Sequence, residues 1–196
     1  GSGLVSVATH PAHSPYLNLA RPELMCHGVQ TADDLDALLA SASVITLGPG
    51  LGQKKWGTEL FQKALKTQLP MVVDADALNL LSNHPQRRDN WILTPHPGEA
   101  ARLLESTAKQ IQSDRFAAVD ALQKRYGGVV VLKGAGTLIC CDKAPVRLST
   151  SGNPGMATGG MGDVLAGVIG GLLAQHVPLM DAACAGVVLH GMAADK

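Results

Sequence analysis

The sequence predicts an α/β layered fold built on a mostly parallel sheet. Three observations carry that prediction: short apolar runs without polar alternation, helical patterns between most of them, and glycine-rich turns that follow several of them. A strand buried on both faces of a parallel sheet has no polar side to show, so it reads as an unbroken Val/Ile/Leu run. The candidates are Leu4–Ala8, Val44–Leu47, Met71–Val73, Trp91–Leu93 and Val129–Leu132.

The intervening segments carry helix signals. Thr31 to Asp34 has the spacing of a capping box, with Leu35, Leu38 and Leu39 as the apolar face behind it. Trp56 to Lys66 groups Leu60, Phe61, Ala64 and Leu65 on one side. Ser113 to Tyr126 reads as one helix closed by Gly127-Gly128. The pattern then changes. Thr137–Cys141 and Val146–Leu148 flank Asp142-Lys143-Ala144-Pro145 and predict an antiparallel hairpin late in the sheet. A glycine-rich loop follows, then a helix from about Gly162 to Ala174, and a last helix from near Pro178 to Lys196. The small-residue run Ala182 to Gly186 in that last helix suits close helix packing.

Composition narrows the function. The 196 residues suit one domain with a sizeable core. Hydrophobic residues make up 46% and charged residues 16%, a globular balance that excludes disorder. Lys+Arg and Asp+Glu are both 16, and there is neither a basic stripe nor interleaved aromatics, so nucleic acid is not the expected partner. No run is long and apolar enough to span a membrane. The four cysteines, Cys26, Cys140, Cys141 and Cys184, form no CxxC pair. They read as reduced thiols of a cytoplasmic protein.

The chemistry concentrates in Ser151 to Gly167. Gly159, Gly160 and Gly162 lack a β-carbon, so the backbone can bend sharply and approach a ligand closely. A helix starting there points free N–H groups into the turn, and its dipole adds roughly half a positive charge. The result is an anion hole. Asp163 falls in the first helical turn, beside the bound anion. A carboxylate there can take the proton of a hydroxyl attacking a phosphoryl group; the plainer role is a helix cap.

The other motifs are less decisive alone. Gly48-Pro-Gly-Leu-Gly52 exposes backbone between a strand and a helix, where open α/β sheets bind ligands, and a plain tight turn suits it equally. Asp74 and Asp76 end a strand and could hold a metal through water or cap the next helix. Glu99 reads as an ordinary charge in a helix's first turn, with indirect service to a metal as the other option. His96 lies between two prolines after a strand, which fixes its backbone. Lys133 follows a buried strand and could reach a phosphate. His10, His13, His27, His84, His176 and His190 show no ligand spacing, and no metal site is identified.

Taken together, these segments resemble a known family. Asn153-Pro-Gly-Met-Ala-Thr-Gly-Gly-Met-Gly-Asp163 is similar to the signature of the NAD(P)H-hydrate dehydratases, ribokinase-like enzymes that often form the C-terminal half of a bifunctional repair enzyme with an epimerase. Gly48-Pro-Gly-Leu-Gly52, Asp74-Ala-Asp-Ala-Leu-Asn79, Thr94-Pro-His-Pro-Gly-Glu99 and Lys133-Gly-Ala-Gly-Thr137 match the family's other motifs in order, over nearly the whole chain.

The resemblance implies a three-layer αβα sandwich and a hydro-lyase. It would use ADP or ATP, with Mg²⁺, to return hydrated NADH or NADPH, NAD(P)HX, to NAD(P)H. The hydroxyl is phosphorylated, phosphate leaves, and the double bond returns. It further implies Asp163 as catalytic base and Thr158, Gly159, Gly160, Met161 and Gly162 as anion hole. Lys133, Gly134, Ala135, Gly136 and Thr137, with Gly162, would hold the adenine nucleotide. Gly52, His96 and Asp163 would contact the substrate. A homo-oligomer is the implied assembly. The alternatives are a vitamin-precursor kinase of the same superfamily and a nucleotide-binding module without activity. The family domain usually starts upstream, with a strand, a glycine-rich turn and a helix, and closes with further C-terminal helices. The expectation is therefore a single dehydratase domain over residues 1–196, truncated at both ends and exposing apolar surface that the complete domain buries.

Overall fold

The computed structural model describes residues 3–19 and 21–196. The chain runs β1 (Ser6–Thr9), α1 (Ser14–Leu17), β2 (Met25–Gly28), a 3₁₀ turn (Ala32–Leu35), α2 (Asp36–Ser41), β3 (Ile45–Leu47), α3 (Lys55–Leu65), β4 (Met71–Val73), α4 (Ala75–Asn83) and β5 (Trp91–Leu93). It continues through α5 (Pro97–Leu103), α6 (Ala108–Ser113), α7 (Arg115–Tyr126), β6 (Val129–Leu132), β7 (Thr137–Cys141), β8 (Arg147–Ser149), α8 (Met161–Leu173) and α9 (Leu179–Ala194).

The main sheet has the order β3-β4-β5-β6-β7-β8. Its first four strands are parallel, and β7 and β8 return antiparallel, as the hairpin prediction requires. A separate parallel pair, β1-β2, precedes it. The sequence reading contains no strand at β2, whose residues Met-Cys-His-Gly lack the apolar run that marks the central strands.

Alternate residues of each central strand point to opposite faces, which creates two cores. Met71, Val73, Trp91, Leu93, Val130 and Leu132 meet Phe61 of α3, Leu78 of α4, Leu103 of α5 and Leu122 of α7. Val72, Ile92, Val129 and Val131 meet Leu165 and Ile169 of α8 and Ala183 and Val187 of α9. These two cores make the three expected layers. Each fully buried large side chain contributes about 1.5–3 kcal/mol. The aromatic members also satisfy their polar atoms: Trp91 Nε1 donates to Tyr126 O at 3.1 Å, and the Tyr126 hydroxyl donates to Leu103 O at 2.8 Å. The small residues of α9 serve packing, since a β-carbon on Gly186 would lie 2.6 Å from Ile169 Cγ1.

The expected single helix over 113–126 is corrected. Asp114 has φ −147° and ψ 87° and splits the segment into α6 and α7. Its carboxylate accepts from Ala117 N–H at 2.9 Å, an N-cap bond that restarts the helix. The capping box at Thr31 and Asp34 does form, but it opens a 3₁₀ turn ahead of α2. Exposed apolar side chains include Leu4, Leu19, Val188, Leu189 and Met192. Among the described residues, no helix is long and apolar enough to cross a membrane.

Candidate functional site

The parallel strands end together, and the loops that leave β3, β4, β5 and β6 are laced to one another by backbone. Asp74 N–H donates to Leu47 O at 3.0 Å, Thr94 N–H to Val73 O at 3.1 Å, and Lys133 N–H to Pro95 O at 2.9 Å. Each bond extends a strand pairing one step past the strand, so motifs distant in sequence are brought into register. Gly48 is fixed by this closeness. Its φ is +131°, and a β-carbon there would overlap the carbonyl of Asp74.

Three charged side chains meet at this edge. Lys133 Nζ lies 2.8 Å from Asp74 Oδ1 and 3.9 Å from Glu99 Oε2. The Asp74 side chain is 1% exposed and that of Glu99 is 7% exposed. Glu99 is therefore not the ordinary first-turn charge the sequence suggested. Its Oε2 accepts the His96 N–H at 2.8 Å in a capping box. Burial pushes its carboxyl above the usual range, with the Lys133 charge pulling the other way. Asp74 sits at the N-cap of α4 but makes no side-chain cap bond; its partner is Lys133. Asp76 is also committed, accepting from Gly52 N–H and Gln53 Nε2 at 2.9 Å each. It fastens the Gly48–Gly52 loop to α4.

His96 is half exposed beside this cluster. Its Nδ1 accepts from Gly98 N–H at 3.0 Å, which leaves Nε2 to carry the proton of the neutral ring, 3.5 Å from Glu99 Oε1. Burial and then the charges of Lys133 and Arg102 lower its proton affinity, while Asp74 opposes them.

Above the cluster lies the turn that starts α8. Asn153 caps the preceding 3₁₀ turn by accepting from Gly155 N–H at 2.9 Å. Its Nδ2 donates to Ala194 O at 2.7 Å, and Gly152 N–H donates to Asp195 Oδ2 at 2.8 Å. The loop is thereby tied to the end of α9. Gly160, at φ +90°, is the left-handed N-cap of α8. Among the described residues, the N–H groups of residues 158 to 163 have no acceptor; the first helical donor is Val164, to Gly160 O. Asp163 is exposed in the first turn, and among the described residues its carboxylate has no hydrogen-bond or ion-pair partner. A β-carbon on Gly162 would lie 3.1 Å from Lys133 Nζ and 3.6 Å from Asp74 Oδ2. The turn that starts α8 and the charged cluster are therefore contiguous.

A protein-family profile described as NAD(P)H-hydrate dehydratase matches residues 1–196. The chain belongs to the NAD(P)H-hydrate dehydratase family. It is 56% identical over 196 residues to the bifunctional NAD(P)H-hydrate repair enzyme Nnr of Coxiella burnetii, covering all of this chain and 40% of that one. The chain thus spans less than half the length of that relative. Two solved structures share the fold. A ribokinase-like superfamily protein of Enterococcus faecalis superposes with a TM-score of 0.86 at 32% identity, over 97% of this chain and 68% of that one. The ADP/ATP-dependent NAD(P)H-hydrate dehydratase of Bacillus subtilis, co-crystallised with ATP and Mg²⁺, gives a TM-score of 0.78 at 29% identity, over 95% and 67%. The fold is ribokinase-like.

In this member of the dehydratase family, the structure gathers Lys133, His96 and Gly162, and leaves Gly52 on a loop joined to them through Asp76 and α4. Asp163 connects to the cluster only through its neighbour Gly162. One contributor has no sequence signal. Arg115, at the start of α7, donates from Nη1 to Ala135 O at 2.7 Å and from Nη2 to Leu132 O at 3.1 Å and Lys133 O at 3.4 Å. It shapes the loop 133–136, and Gly134, at φ +150°, would bring a β-carbon within 2.9 Å of its Nη2. His190 of α9 is a second. Its Nε2 is buried without a partner, and burial and the Lys133 charge lower its proton affinity. Among the described residues, no three His, Cys, Asp or Glu side chains are grouped to hold a metal. Two hollows, one bounded by Val44, Pro70 and Pro178 and the other by Arg87, Gly128 and Met180, lie at the opposite ends of the strands.

Proposed function

We propose that this chain carries out the ADP- or ATP-dependent dehydration of hydrated NADH or NADPH, as the dehydratase domain of a cytoplasmic nicotinamide-nucleotide repair enzyme. The observation that carries this reading is the row of unpartnered N–H groups at residues 158–163, with a free carboxylate at Asp163 in the same turn. Amides already aimed at an anion need no rearrangement when charge develops on a transferring phosphoryl group.

The substrate hydroxyl attacks the terminal phosphorus of the nucleotide, and Asp163 receives its proton. The bond from phosphorus to the bridging oxygen breaks, releasing AMP or ADP. The C–O bond of the phosphorylated hydrate then breaks, inorganic phosphate leaves, and loss of a proton from the adjacent carbon restores the ring double bond. The 133–137 loop, shaped by Arg115, holds the nucleotide, and Gly52 and His96 line the substrate side. Mg²⁺ screens the phosphate charge when bound. With Asp74 and Asp76 committed within the protein, an ion bound there would draw its oxygens mainly from phosphate and water.

The test is to incubate the protein with hydrated NADPH and ADP, then ATP, and follow recovery of dihydronicotinamide absorbance together with inorganic phosphate. Equimolar recovery of both is expected. A stable phosphorylated product without regained absorbance means a small-molecule kinase, and nucleotide binding without turnover means a binding module.

A further inference from the structure

We propose that Asp74 is a positioning residue: its buried carboxylate holds the Lys133 ammonium beneath the first turn of α8, where that charge joins the free amides in attracting the nucleotide's terminal phosphate. This rests on the nucleotide site assigned above.

The argument begins with an electrostatic conflict. The N-terminus of α8 carries partial positive charge from its unpaired N–H groups. A full positive charge stands against it, since a β-carbon on Gly162 would lie only 3.1 Å from Lys133 Nζ. Like charges this close repel. An unheld lysine would swing away into water, because its stem is flexible and its head strongly hydrated. Asp74 prevents this. Its Oδ1 accepts from Nζ at 2.8 Å, and its Oδ2 is 3.6 Å from the same point over Gly162.

Asp74 in turn is held by the fold. It is 1% exposed, its N–H is bonded to Leu47 O, and Gly48 packs on its carbonyl. A buried carboxylate is costly unless paired, so Lys133 and Asp74 fix each other. The ammonium has three donors, and among the described residues Asp74 alone accepts a hydrogen bond from it. Capacity remains for a phosphate oxygen. Asp74 is too buried to meet substrate itself, and it stands in no metal-binding group among the described residues.

The experiment is a double-mutant cycle read by calorimetric titration with ADP, using Asp74→Asn, Lys133→Gln and the double variant. Melting curves confirm that each is folded. Losing a charged hydrogen bond to phosphate weakens ADP binding about tenfold or more in Lys133→Gln. Asp74→Asn alone should weaken it several-fold, and in the Lys133→Gln background should weaken it no further. Full additivity, or unchanged affinity in Asp74→Asn, overturns the proposal while leaving the nucleotide site intact. Unchanged affinity in Lys133→Gln instead removes Lys133 from the nucleotide site, and the proposal with it. Should Asp74→Asn not fold, Gly162→Ala serves, since its methyl group displaces the ammonium. It must cost more affinity with Lys133 present than in Lys133→Gln; equal costs overturn the proposal.

Discussion

The two halves of this site are built on opposite terms. Below, at the ends of β4, β5 and β6, Asp74 and Glu99 are buried and Lys133 is partly buried, and all three are bonded to one another or to backbone. Above, at the start of α8, the N–H groups of residues 158–163 and the Asp163 carboxylate are exposed and unpartnered. Burial rewards pairing, so both carboxylates of the lower half are partnered without ligand and contribute to folding, while Lys133 keeps spare donors. The upper half leaves its hydrogen-bonding capacity unused, as the proposed phosphate site requires, and contributes little to stability. A lesion below should therefore be felt first in folding, and a lesion above in turnover.

The largest expected effect lies in the upper half. Asp163→Asn removes the proposed base while keeping size and polarity, and should cut turnover on the order of 10²–10⁴-fold. ADP affinity should hold, and melting temperature should stay within the small range of surface substitutions. Steady-state dehydration alongside calorimetry checks all three. Near-normal turnover would remove Asp163 from the mechanism.

Next in size is a paired glycine substitution, one in each half. Gly48→Ala forces a β-carbon onto the Asp74 carbonyl at φ +131° and should destabilise the fold by about 3 kcal/mol or more. Gly159→Ala meets nothing within 4 Å. It should change stability by less than about 0.5 kcal/mol, yet reduce activity if the proposed phosphate site occupies that space. Denaturant midpoints for both, set against dehydration rates, test the contrast; equal loss of stability would erase it.

The same contrast governs what could be read from the sequence. The anion turn is local: Gly160, Gly162 and Asp163 act through backbone conformation and helix position, which neighbouring residues encode. The strands β4, β5 and β6 were likewise legible, because burial on both faces leaves an unbroken apolar run. The lower half depends on sheet register. Asp74 and Lys133 are 59 residues apart and meet only because β4, β5 and β6 end together. Glu99 looked like a surface charge because no local pattern reveals that its turn packs against Lys133. Arg115 reaches carbonyls 17 to 20 residues away, and nothing at the start of α7 marks it.

Arg115 supplies a third, smaller test, since it supports the 133–136 loop proposed to hold the nucleotide. Arg115→Ala removes charge-assisted bonds to three carbonyls, worth about 1.5–3 kcal/mol. The cost should divide between stability and ADP affinity. Arg115→Lys should not restore affinity, because a point charge cannot span carbonyls that a planar fork bridges. Full rescue by lysine would reduce the role of Arg115 to charge alone.

The smallest effect separates the charges inside the lower half by pH. His96 and His190 hold protons less tightly in the folded protein than their ordinary value of 6.5, both chiefly through burial and then through Lys133. A base with depressed folded affinity gives its full stabilisation above 6.5 and loses it as the pH falls through the lower folded value. Glu99 behaves in the opposite sense. Its carboxyl is raised above 4.5 by burial, so its contribution is complete below 4.5 and is lost as the pH rises through the folded value. Between pH 7.5 and 5.5 the histidines therefore lower the melting temperature as acid is added. Replacing both by glutamine should flatten that decline by about 1–3 °C. Glu99→Gln removes the opposing contribution and should steepen the decline, or leave it unchanged if its folded value lies below the range. A flatter decline in Glu99→Gln would contradict the raised carboxyl.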